Sequence, residues 1–137
     1  MANCICNATL KHLRHDGNYL GDDWKYTITV NGQVKQLDGN GQDQEFGDTM
    51  KWEVPLGECG EGTVVSIQAK ALEEDLFFDD EGSAIRHIKQ DAPASGADPI
   101  RLENVAVRAR VVEAIGWFSG GTNFVDFVFD LEYTCAD

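Results

Sequence analysis

Between Val125 and Cys135 every second residue is apolar or aromatic: Val125, Phe127, Phe129, Leu131, Tyr133 and Cys135, with Asp126, Asp130, Glu132 and Thr134 among the residues between them. A period of two places successive side chains on opposite faces of an extended strand, so this stretch has one dry face and one wet face. The same period recurs along the chain. Trp24, Tyr26, Ile28 and Val30 alternate with Lys25, Thr27 and Thr29, and Asn31-Gly32 then supplies two residues that tolerate the positive φ of a tight hairpin turn. Val34 and Leu37 fall on the return strand. Cys4, Cys6, Ala8 and Leu10 make an inward row, as do Met50, Trp52 and Val54, a run that Pro55 ends. Val65 to Ala71, Val105 to Val111 and a short stretch from Ala84 to Ile88 complete the set. Half-buried alternation belongs to antiparallel sheets with one solvated face. About eight short strands punctuated by glycine predict an all-β fold, an antiparallel β-sandwich, with a β-barrel as the alternative. A helical turn competes only at Val111 to Ile115.

The chain of 137 residues has the size of one domain, 1–137, and too little length for two cores. No apolar run reaches the roughly 20 residues of a membrane-spanning helix, and no basic-then-apolar stretch marks a signal peptide. A soluble protein is expected, with the cytoplasm slightly favoured over an extracellular setting. Cys4, Cys6, Cys59 and Cys135 permit two disulfides in three pairings. Cys4 and Cys6 share one face of a strand, which argues against a bond between those two, and buried free thiols are the plainer expectation.

Charge narrows the partners. Against 24 Asp and Glu stand 11 Lys and Arg, a formal net charge of -13. Such a surface repels phosphate backbones and anionic lipid, both of which are held by clustered Lys and Arg, so nucleic acid is not an expected partner. The carboxylates themselves cluster. Glu73, Glu74, Asp75, Asp79, Asp80 and Glu81 fall within nine residues and lead to Gly82, which offers a sharp turn. Like charges at that density repel unless they fan into solvent or share a cation. Calcium suits them, being a hard ion that takes about 6–8 oxygens from carboxylates and carbonyls in irregular geometry. A second acidic loop, with Asp16, Asp22 and Asp23, precedes the strand from Trp24 and could meet the first at one end of a sandwich.

Two stretches resemble the calcium- and phospholipid-binding C-two sandwich domains of signalling proteins. Asp16-Gly17 and Asp23-Trp24-Lys25-Tyr26 are similar to their first-loop segment, and Glu73-Glu74-Asp75 with Asp79-Asp80-Glu81-Gly82 resembles their third loop. The resemblance implies Asp16, Asp22, Glu73, Asp75 and Asp80 as calcium ligands. It departs from the family where the proline after the first-loop Asp is missing and where Glu fills one ligand position. Membrane contact is a further implication, although the polybasic strand that contacts phosphoinositides has no counterpart here.

Leu76, Phe77 and Phe78 between the acidic clusters, and Trp117-Phe118 in a glycine-rich hairpin tip, either pin loops to the core or form partner-binding surfaces. His12 and His15 face opposite sides of a strand and read as exposed. No nucleophile elbow, triad or phosphate cradle is present, so no enzyme is expected. The expected function is a calcium-binding sandwich module with ions held by loops 16–23 and 73–82. The alternative is a metal-independent structural or protein-interaction sandwich, a subunit of a larger assembly or a self-assembling one.

Overall fold

The structure, a computed structural model, describes residues 3–58, 64–75, 79–89, 98–115 and 118–136, with backbone only at 58, 114–115, 118–120 and 136. Nine strands follow one another without a described helix: β1 (Asn3–Gly17), β2 (Trp24–Val30), β3 (Gln33–Gly39), β4 (Gln44–Glu45), β5 (Lys51–Glu58), β6 (Val64–Glu73), β7 (Asp80–Lys89), β8 (Ile100–Ile115) and β9 (Phe118–Ala136). They form two antiparallel sheets rather than a closed barrel. One has the order β4-β1-β9-β8, with β5 also pairing β1, and the other has the order β3-β2-β6-β7. With no helix among the described residues, none is long and apolar enough to cross a membrane.

The inward rows become the core. Trp24, Tyr26, Ile28, Val30 and Ile67 from one sheet face Leu10, Trp52, Phe127, Phe129, Leu131 and Tyr133 from the other, all essentially without solvent exposure. Each such side chain stabilises the fold by about 1.5–3 kcal/mol relative to leaving it in water. The register of β1 on β9 shifts between Leu10 and His12, leaving Lys11 without an opposite residue. This bulge reverses which positions point inward. Beyond it Leu13 and His15 face the core, while Arg14 and Asp16 face out.

Several local expectations are corrected. β5 runs through Pro55 to Glu58; among the described residues it pairs with β1 alone, and such an outer strand tolerates a proline, which lacks an N–H to donate. Val111 to Ile115 is strand, paired with the start of β9. Ala84 to Ile88 is the interior of a ten-residue strand, β7. Val34 lies on β3 as expected, but 58% exposed. Cys4 and Cys135, directly opposite one another on β1 and β9, form a disulfide, and Cys6 is a buried free thiol. Cys59 lies outside the described residues.

Candidate functional site

The sheets and their connections differ sharply in charge. All eleven Lys and Arg lie in strands, together with thirteen of the 24 acids. The sequence between and beyond the strands carries the other eleven acids and neither Lys nor Arg. Paired strands interleave both signs, as Arg108 does with Asp126 and Lys70 with Glu81, so the charge excess belongs to the sequence outside the strands.

At one end the two acidic segments meet. Residues 18–23 cross from β1 in the first sheet to β2 in the second, and Trp24 at the start of β2 stands opposite Glu73 at the end of β6. The Glu74 N–H donates to the Asp23 carbonyl at 2.8 Å, and Lys25 Nζ lies 3.2 Å from Glu74 Oε1. Gly21 is packed against Glu73, whose Cδ would stand 2.9 Å from any Cβ at that position. The β6–β7 hairpin is closed by Asp75 N–H donating to Asp79 Oδ1 at 3.2 Å. Glu73 and Asp80 are directly opposite across that hairpin, and each is only 3% exposed.

Two buried carboxyl groups side by side are unusual chemistry. Glu73 is hydrogen-bonded to Asp80. A carboxylate only accepts, so that bond requires a proton on one of the two. Burial, reinforced by the charges of Asp80 and Asp75, the Asp80 hydrogen bond and the charge of Glu113, pushes the Glu73 carboxyl up to about 7. Glu73 Oε2 is buried and has no hydrogen-bond partner. The pair can hold a shared proton, or both groups can ionise around a cation.

The other sequence-predicted residues are placed differently. Asp16 faces away from the core on the first sheet, 70% exposed, with Arg108 Nη2 at 3.4 Å. Arg108 spends its stronger, two-pronged contact on Asp126, at 2.7 and 2.8 Å. Asp22, Asp23, Asp75 and Asp79 are exposed. Among the described residues no group of three or more His, Cys, Asp or Glu stands ready to hold a metal ion. Phe77, Phe78 and Trp117 lie outside the described residues, and Phe118 is described by its backbone alone, at the start of β9. Gly82 is no turn residue. It lies within β7, where a Cβ would run into the Arg110 carbonyl of β8 and come within 2.9 Å of Val111.

His15, expected at the surface, is instead half-buried beneath the same end. Asn123 Nδ2 donates to the Asn18 carbonyl at 2.8 Å, so Asn123 Oδ1, 2.7 Å from His15 Nδ1, accepts from it. His15 Nε2 then accepts from the Tyr26 hydroxyl at 2.6 Å. Burial lowers the His15 pKa from its ordinary value, against smaller raising effects of Asn123 and Asp43. The network ties the first acidic loop to strands of both sheets. Only the bulge in β1 turns His15 inward, and the period of two carries no sign of it. No family model matches the chain, and no curated protein does either.

Proposed function

We propose that this sandwich is a calcium-responsive binding module rather than an enzyme, with the ion seated where residues 18–23 abut the β6–β7 hairpin. One observation carries the reading: the buried Glu73 oxygen without a hydrogen-bond partner, beside the buried Asp80, at an end crowded with further carboxylates. Glu73 and Asp80 supply the inner oxygens of the seat. Asp75 and Asp79 on the hairpin and Asp22 and Asp23 on the adjoining loop are within the same end and close over the ion with backbone carbonyls and water. Calcium takes the place of the shared proton, removes the mutual repulsion and orders the loops that a partner docks on. The resemblance to C-two domains supports the same chemistry, with Asp16 left outside the seat because Arg108 engages it on the outer face.

A metal-independent interaction or assembly module is the second reading. Val34 and Ile85, each 58% exposed, lie in one row with Thr29 and Gln68 across the outer face of the second sheet. Thermal unfolding of metal-stripped protein across a calcium titration separates the two. Specific binding at a hundredfold excess over Kd adds about 2.7 kcal/mol, or roughly 5–10 °C at this size. Magnesium, and sodium at matched ionic strength, should give smaller, unsaturated rises, and Glu73→Gln should abolish the calcium-specific part. Overlaid calcium, magnesium and sodium curves would sink the calcium seat and leave the second reading.

A further inference from the structure

The end of the sandwich opposite the acidic seat gathers Cys4, Cys6 and Cys135 on the neighbouring strands β1 and β9. Cys4 is 1% exposed, whereas Cys135 is half-buried. The register of β5 on β1 shifts between Cys4 and Ile5, and beyond that shift, among the described residues, Asn3 opposite Glu58 and Cys4 opposite Gly57 continue the ladder. One layer further in, Cys6 stands opposite Tyr133, and both are fully buried.

We propose that the Cys4–Cys135 disulfide is a redox gate on Cys6: the intact bond holds the ends of β1 and β9 closed over the thiol, and reduction opens them and makes Cys6 reactive. The step needs an external dithiol. Its thiolate attacks Cys135 Sγ, on the more exposed residue of the pair. The S–S bond breaks, and Cys4 leaves as a thiolate that takes up a proton. The second thiol of the reductant resolves the mixed disulfide, releasing the Cys135 thiol and leaving the reductant oxidised. In the closed state Cys6 is inert because the thiolate is the nucleophile, and burial pushes this thiol up to about 11, against a smaller lowering effect of the Tyr133 hydroxyl beside it. Fraying of residues 3–6 and 132–136 admits water to the sulfur and restores ordinary thiol chemistry.

Alkylation of the whole chain by iodoacetamide, read at the Cys6 peptide by mass spectrometry, tests the gate. The oxidised protein should label Cys6 slowly, and prior reduction with dithiothreitol should speed that labelling at least about tenfold. Hydrogen exchange should rise in 3–6 and 132–136 while the β2–β6 pairing stays protected. Cys135→Ser, which cannot form the bond, should show the fast rate without reductant. Three results would each overturn the gate. Cys6 could stay slow while Cys135 is labelled. Protection could be lost throughout both sheets on reduction. A non-reducing peptide map could lack the Cys4–Cys135 link.

Discussion

Glu73 gives the clearest consequence of a single residue. Its ordinary pKa of 4.5 is raised to about 7 in the folded chain, chiefly by burial and then by Asp80. A carboxyl of that kind binds its proton more tightly folded than unfolded. Its stabilising effect is therefore fully present below pH 4.5 and is lost as pH rises to about 7, an effect of at most about 3 kcal/mol. His15 acts in the opposite sense. Its lowered pKa means that stability is lost as pH falls below its ordinary 6.5. The difference between wild type and Glu73→Gln in urea midpoints from about pH 4 to pH 8 isolates the carboxyl. That difference should grow between about pH 4.5 and 7 and level off on either side, and a constant difference would show that Glu73 titrates normally.

At the scale of elements, the two sheets are joined at their open edges by side chains. Gln33 Nε2 and Lys35 Nζ on β3 donate to the Glu53 and Lys51 carbonyls of β5, at 3.1 and 3.3 Å. Arg86 Nη1 on β7 donates to the Ala106 carbonyl of β8 at 2.8 Å. Capped carbonyls are poor templates for a further strand, which protects the edges from pairing with other chains. Gly82 sets how closely β7 approaches β8. Because a methyl group there meets backbone rather than a flexible side chain, Gly82→Ala should destabilise the fold by about 1–3 kcal/mol or more. Chemical denaturation measures this, and a neutral effect would show that the strands separate freely. Under the proposed calcium seat, the same substitution should also lower stabilisation by calcium, since Asp80 lies two residues away on the same strand.

Charge governs the whole molecule. A net charge of -13 is divided so that the strands nearly balance and the connecting sequence holds the excess. Repulsion among those carboxylates acts through solvent and is screened over a Debye length that shrinks from about 30 Å at 0.01 M to about 10 Å at 0.1 M salt. Sodium chloride across that interval should raise the unfolding midpoint smoothly and without saturation at a fixed stoichiometry. A flat response would mean that the acids are already neutralised within the fold. This curve is also the baseline against which a calcium effect must stand out.

The strand positions, the inward rows and the acidic loops are legible in the amino-acid order alone, because a period of two and a local carboxylate density are properties of neighbours in sequence. Trp24 to Val30 and Val125 to Cys135 need no other information to be placed as strands. Tertiary structure decided what depends on partners far along the chain. The bulge against β9 turned His15 inward and Asp16 outward, the 131-residue separation between Cys4 and Cys135 closed into a bond, and β8 made Gly82 a contact rather than a turn. It also turned two members of an acidic run, Glu73 and Asp80, away from water while Asp75, Asp79 and Glu81 stayed exposed. Burial is a property of the packed sheets, and desolvation together with facing carboxyl groups shifts a proton's affinity in a way no local pattern encodes.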